Sequence, residues 1–330
     1  MSMVNLLAGD VGGTTTRLGL FERTASRPHP VAVRQFATLD FPDLRSMIAA
    51  FLDAAPRAEL SKAPACFGVA GPVSGDAASL TNTPWPRMEA DVIARAFGLS
   101  HVRLLNDLEA MAYAVPLLEP HEVHVLQEGR PAAGAPPGNV AVIAAGTGLG
   151  EAFLHRADGR DIAIASEAGH ADFAARTDRD IAVLRHLVAR SGRAQVEDVI
   201  SGRGLLEIYR AIHTGPCQAS IDLGAAGASA AISDAALGGR CSGCADTLNV
   251  FVEAYGAEAG NFALRTIATG GVFIGGGIAP KILPALTNGV FMRAFRAKAP
   301  FEALLDAVPV KVILDSNAGL QGAANFCSRT

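Results

Sequence analysis

Apolar runs in this chain are short and repeatedly interrupted by glycine, and their order predicts an α/β protein. Strands are expected over residues 5–9, 17–21 and 31–36, followed by a helix over about 42–55. Further strands at 65–70 and 102–105 have one helix between them and another after. Beyond Pro116 and the Pro/Gly-rich segment 131–138 the pattern returns with 140–145, 151–154 and 162–165. Hairpins first and crossovers later imply mixed sheets. The stretch 181–268 reads as largely helical, with Leu248, Phe251, Val252, Tyr255, Ala259 and Phe262 marking the core face of one long helix. A last strand at 310–314 and a helix from Asn317 are expected to return to the first domain. The domain switch falls near 116–120, which gives a small α/β domain of residues 1–117 plus 308–330 and a large one of 118–307.

Composition narrows the class without naming the chemistry. With 330 residues, 50% hydrophobic residues and 35 glycines, the chain is long enough for two cores joined by tight turns. A formal net charge of -4 gives no basic face for a nucleic-acid partner. No apolar run reaches the roughly 18 residues that span a membrane, and Asp10 precedes any signal-peptide core, so a cytoplasmic protein is expected. Five cysteines, an odd number, fit a reducing compartment better than a disulfide framework.

The chemistry concentrates in three glycine-rich turns. LLAGDVGGTTTRLGLFE brings a strand into Gly9, Asp10, Gly12, Gly13 and Thr14, then resumes as a second strand; such a turn aims backbone N–H groups at an anion. Thr14, Thr15 and Thr16 add hydroxyl donors, and Asp10 at the strand end can hold magnesium through water. NVAVIAAGTGLGEAFL repeats the design with Gly146, Thr147 and Gly148. GGVFIGGGIAPKIL runs a strand into Gly275, Gly276 and Gly277 ahead of a helix started by a proline. One such turn is an ordinary β-turn more often than not; three argue for a nucleotide. No GK[ST] closes any turn and no G-x-G-x-x-G opens a helix after the first strand, so neither the P-loop nor the dinucleotide fingerprint applies. Between these turns, LLNDLEA sets Asn106 and Asp107 where a strand becomes a helix, SEAGHADF brings Glu167 near His170, and QVEDVISGRG offers Glu197. Asp107 alone equally suits a helix N-cap, His170 a structural histidine and Glu197 a solvated charge. Together, carboxylates, an amide and an imidazole suit a ligand with several hydroxyls.

The motifs GDVGGT, GPVSGD, TNTPW, LLNDLEA, AGTGLG, SEAGHADF, VEDVISGRGL and GGVFIGGGIAP, in this order, resemble the bacterial ATP-dependent glucokinases of the hexokinase-like, actin-type ATPase superfamily over nearly the whole chain. The resemblance implies a two-domain actin-like ATPase (ribonuclease H-like) fold with a mixed β-sheet in each domain and an active-site cleft between them. It implies ATP and magnesium as cofactors, glucose as substrate and a homodimer. Asn106, Asp107, Glu167, His170 and Glu197 would grip glucose, with Asp107 as general base. The alternatives are a kinase for another hexose or amino sugar, or a non-catalytic sugar-sensing relative. Two positions depart from the family: Thr15 and Thr16 stand where asparagine is frequent, and Ala168 replaces the first glycine of EGGH, which would strain the chain if that position needed φ > 0. Cys241 and Cys244 resemble half a zinc site. With no second C-x-x-C and no nearby histidine in the sequence, they are expected to be two unmetallated thiols, which argues against the zinc-bearing family of sugar kinases.

Overall fold

The computed structural model describes residues 5–55, 60, 62–81, 83–130, 134 and 138–329. Most of the segment 131–138 and Asn82 of TNTPW therefore lie outside the described residues. The chain divides into two compact units, one of residues 1–120, 161–165 and 315–330, the other of 121–160 and 166–314.

The first unit contains β1 (Asn5–Val11), β2 (Thr15–Glu22), β3 (His29–Ala37), β4 (Pro64–Val69), three two-residue strands β5 (Val73–Ser74), β6 (Ala77–Ala78) and β7 (Met88–Glu89), and β8 (His101–Asn106). Its main sheet runs β3-β2-β1-β4-β8. β1, β2 and β3 form antiparallel hairpins, whereas β1, β4 and β8 are parallel, so the sheet is mixed as its pattern predicts. β4 is buried along its whole length because helices cover both faces, which is why PACFGV reads as a continuous apolar run. On one face the helix Leu44–Ala54 buries Leu44, Met47, Ile48 and Phe51 at helical spacing. Its N-cap Asp43 accepts a hydrogen bond from the Ser46 N–H at 2.8 Å. The helices Asp107–Ala114 and Ala318–Arg329 pack together and on the sheet.

The second unit holds β9 (Val123–Gln127), β10 (Val140–Ala145), β11 (Leu149–Ala157), the ends of β12 (Arg160–Ser166), β13 (Gly271–Gly275) and β14 (Val310–Ile313). Five of these run in the order β11-β10-β13-β14-β9, with β10, β13 and β14 parallel. The helix Ser242–Thr266 is buried on the expected face, and also at Val250, Ala254, Ala257 and Ala263 around it, because other elements surround it.

Besides a shift of the first boundary from 117 to 120, the units differ from the expected domains in two places. The strand at 310–313 belongs to the second unit, because it pairs in parallel with β13 and antiparallel with β9. Residues 161–165 group with the first, where the Ala163 N–H donates to the Tyr113 hydroxyl at 3.2 Å. Pro280 starts no helix; residues 276–282 form turns, and the helix Leu283–Leu286 begins later with Pro284 in its first turn.

Candidate functional site

In the first unit the parallel strands deliver the candidate residues to one edge. Val11 lies opposite Val69, and Val69 opposite Asn106, so residues 12–14 and Asn106–Asp107 leave the sheet at the same carboxyl ends. The hairpin is held from behind. The Gly12 N–H closes the turn onto the Thr15 carbonyl at 3.1 Å, and the Thr38 N–H donates to the Thr14 carbonyl at 3.0 Å. The Thr38 hydroxyl donates to the Gly12 carbonyl at 2.7 Å, which makes the Thr16 hydroxyl the donor in its 2.9 Å bond to Thr38. Thr16 is fully buried and is therefore a pin for the turn, correcting its expected place among the phosphate donors. The exposed tip is Thr14. Among the described residues the Gly13 and Thr14 N–H groups make no backbone hydrogen bond, leaving them as the donors the turn can offer.

Asp10 is the last residue but one of β1, with its side chain 26% exposed and the Arg17 guanidinium 3.7 Å away. Burial pushes its carboxyl above the usual carboxylate range, against the pull of Arg17. A partly desolvated carboxylate with one distant cation suits a hydrated divalent ion, whose charge would offset the cost of burial. Gly319, in the first turn of Ala318–Arg329, makes room for it: a Cβ there would sit 3.1 Å from the Asp10 carboxyl carbon.

Asn106, rather than Asp107, is the N-cap of the following helix. Its side-chain oxygen accepts from the Leu108 N–H at 2.9 Å, while its own N–H donates to Glu109 Oε2 at 2.9 Å, completing a capping box. Asp107 sits one residue inside, half-buried, with Oδ1 3.0 Å from the Leu108 N–H. The cap reading of this aspartate thus passes to its neighbour.

The second unit repeats the logic. Ala144 lies opposite Gly275, so residues 146–148 and 276–277 leave adjacent parallel strands at one edge. The Gly146 N–H closes its turn onto the Gly148 carbonyl at 2.8 Å, Thr147 is the exposed tip, and the Thr147 and Gly148 N–H groups make no backbone hydrogen bond among the described residues. Glu197 is no solvated charge: its Oε2 accepts the Leu149 N–H at 2.9 Å, and a Cβ on Gly148 would meet that carboxylate at 2.5 Å. Arg203 lies 3.5 Å from its other oxygen. The Glu197 N–H donates to the Gly169 carbonyl at 2.9 Å, which brings the SEAGHADF segment beside the hairpin. There Glu167 and His170 are exposed, 3.9 Å apart, and His170 Nδ1 lies 2.7 Å from Gln195 Oε1. Ala168 carries no positive φ; it opens a 3-10 turn, and the glycine the segment requires is Gly169, whose Cβ would fall 2.2 Å from the Leu149 carbonyl oxygen. The expected strain is therefore absent.

Sequence reading missed Thr38 and Gly319, which reach the site from elements distant along the chain, and Arg17 and Gln195, whose partners Asp10 and His170 are set by strand pairing and loop packing rather than by spacing. It also missed that His213 and Cys217 come to lie beside Cys241.

Behind the second hairpin, Glu151 is fully buried and neither carboxylate oxygen has a hydrogen-bond partner. Burial, with the like charge of Glu258 added and Arg265 opposing, raises its carboxyl from 4.5 to about 8. Between those values the unfolded chain releases a proton that the folded chain keeps, so stability falls as pH rises, by an amount on the order of a few kcal/mol. Thermal melts should show Tm declining from about pH 5 to about pH 8, and Glu151→Gln should flatten that decline. An unchanged slope in the variant would assign the decline elsewhere.

Two glycine-closed hairpins at parallel strand ends, a third glycine loop beside one of them and a carboxylate at a helix start beside the other define an ATP-dependent phosphotransferase of the actin-like ATPase class. The family model described as Glucokinase matches residues 7–330. A glucokinase of Nostoc punctiforme is 38% identical, the alignment covering 99% of this chain and 100% of that protein. In three dimensions the chain is similar to the crystal structure of a glucokinase from an Antarctic psychrotroph, with a TM-score of 0.82, 31% identity and 99% of each chain covered. It shares its fold with a ROK family glucokinase from Streptomyces griseus in complex with glucose and AMPPNP, at a TM-score of 0.68, 22% identity, and 99% and 100% coverage. The chain belongs to the glucokinase family.

Proposed function

We propose the residue-level route by which this chain, a glucokinase, transfers the γ-phosphoryl group of ATP to the 6-hydroxyl of glucose, giving glucose 6-phosphate and ADP. The observation that carries the reading is the placement of Asp107 at a helix start on the same strand edge as the first glycine hairpin, in a chain matched by the family over residues 7–330. The Asp107 carboxylate accepts the proton of the 6-hydroxyl as its oxygen attacks the γ-phosphorus, and the bond to the β-phosphate oxygen breaks in line. The N–H groups of Gly13, Thr14, Thr147 and Gly148 stabilise charge on the phosphoryl oxygens, while those of Gly12 and Gly146 hold the turns. Asn106, Glu167, His170 and Glu197 orient the sugar hydroxyls; Gly275, Gly276 and Gly277 receive the nucleoside. Asp10 would hold magnesium, and the ion, when bound, would neutralise phosphate charge. Among the described residues no helix is long and apolar enough to cross a membrane. We also propose that the protein is a cytoplasmic homodimer.

A coupled assay with ATP and magnesium tests the substrate. Glucose should turn over with a kcat/KM well above that of galactose or fructose, because a site that hydrogen-bonds each hydroxyl leaves groups unpaired when one is inverted or missing. Equal turnover of glucose and fructose would transfer the reading to a broad hexose kinase, and silence on every hexose with turnover of an amino sugar would replace the substrate.

A further inference from the structure

Away from the residues assigned above, the helix Gly202–Ile212 runs out into His213 and a loop carrying Cys217, and Cys241 caps the helix Ser242–Thr266, with Cys244 in its first turn. The fold brings these four together. The Cys217 and Cys241 sulfurs are 3.9 Å apart, His213 Nε2 lies 3.6 Å from Cys241 Sγ, and the three donor atoms are all within 4.8 Å of one another. The Cys244 thiol, buried one helical turn from Cys241, lies outside this group of three but faces the Cys217 and Cys241 thiols. A tetrahedral zinc with Zn–S of about 2.3 Å and Zn–N of about 2.0 Å sets sulfurs about 3.8 Å apart and sulfur about 3.5 Å from nitrogen. The Cys217–Cys241 and His213–Cys241 separations are already those of such a ligand shell.

We infer that His213, Cys217, Cys241 and Cys244 form a structural zinc site, with the Cys244 side chain turning in as the fourth ligand.

The surroundings are built for thiolates. Against the upward push of burial at Cys241, the backbone N–H groups of Cys244 and Gln218 near the Cys241 sulfur, and the Tyr209 hydroxyl with the N–H groups of Ile221 and Ala219 near the Cys217 sulfur, lower both thiols from their ordinary range. Outer donors of this kind hold first ligands in place and offset their charge. Tyr209 stacks on the His213 ring with centroids 4.2 Å apart and planes 25° from parallel, fixing its orientation. The ring lies so close over the C-x-x-C turn that a Cβ on Gly243 would fall 2.2 Å from His213 Cδ2. Three sulfurs and one imidazole favour zinc over magnesium or calcium, and four protein ligands leave no open position for substrate. The site therefore staples rather than catalyses: it closes the 28-residue separation between His213 and Cys241, tying the end of one helix to the start of another. On binding, each cysteine gives its thiol proton to solvent as the sulfur–zinc bond forms, with no change of oxidation state. The expectation of two unmetallated thiols at Cys241 and Cys244 rests on a want of further ligands, and the fold places a histidine and a third cysteine beside Cys241. Zinc here leaves the family assignment untouched, because that assignment rests on the whole chain.

The test is elemental analysis of full-length protein grown with zinc and purified under reductant without chelator. About one zinc per chain is expected, falling several-fold in Cys217→Ser and in Cys241→Ser. Cobalt(II) added to reduced, metal-stripped wild-type protein should give thiolate-to-cobalt charge transfer and tetrahedral d–d bands, a readout that does not depend on any variant folding. Stripping should lower Tm and zinc should restore it. Wild-type protein that carries only traces of zinc and gives no cobalt–thiolate band, or serine variants that keep full zinc, would overturn the site.

Discussion

Replacing Asp107 with asparagine should lower kcat by about 10²-fold or more while leaving ATP affinity and the thermal melt nearly unchanged. The substitution is close to isosteric, and an asparagine oxygen can still accept from the Leu108 N–H, as Asp107 Oδ1 does at 3.0 Å. What disappears is the capacity to take a proton. Asp107→Ala should lose a comparable factor, whereas the cap lies elsewhere: Asn106→Ala dismantles the capping box and should cost about 1 kcal/mol of stability. The pair separates the two readings that a lone aspartate at a strand-to-helix junction leaves open. A loss of stability from Asp107→Asn with turnover retained would make the residue structural, and near-normal kcat in both Asp107 variants would require another base. Steady-state kinetics with glucose and ATP, alongside melts of each variant, decide it.

The elements that sequence reading placed correctly are those whose signal is local. The hairpin around Gly12 and Gly13, the strand before Gly146 and the stripe along Ser242–Thr266 each declare themselves within one stretch of chain. β9 was missed because VHVLQ is short, carries a histidine between its valines and is only partly buried at the sheet edge. β14 was found but placed in the wrong unit: its alternation says strand, and only its pairing with β13 and β9 says which sheet. Site chemistry followed the same division. Glycine turns and the Asn106–Asp107 junction are visible as motifs, yet Thr16 looks like a third phosphate donor until Thr38, 22 residues on, claims its hydroxyl. Glu197 likewise reads as a surface charge until the Leu149 N–H, 48 residues earlier, is found on it. His213 and Cys217 carry no spacing signal at all, because a loop and a helix separate them from the C-x-x-C they join.

The helix Ala318–Arg329 connects these local successes to the site, and it makes a strong stability prediction. Gly319 stands against the Asp10 carboxylate, while one turn later a Cβ on Gly322 would lie 1.7 Å from the Ala110 carbonyl oxygen and 2.8 Å from the Ala114 nitrogen. Those are backbone atoms of the helix that Asp107 begins, and backbone cannot rotate aside as a side chain does. Asn325 fixes the same contact further along, its Nδ2 donating to the Tyr113 carbonyl at 2.7 Å. Gly322→Ala must therefore push the two helices apart, and overpacking of this kind costs on the order of 3 kcal/mol. For a protein of 330 residues that corresponds to a fall in Tm of roughly 4 °C. Because the displaced helix carries Asp107, kcat should fall with stability, even though residue 322 touches no reacting group. Gly146→Ala provides the contrast, since a Cβ there meets nothing within 4 Å, and its melt should match that of the parent chain. A wild-type melt and wild-type kcat for Gly322→Ala would mean that the close approach of the two helices is not what positions the base.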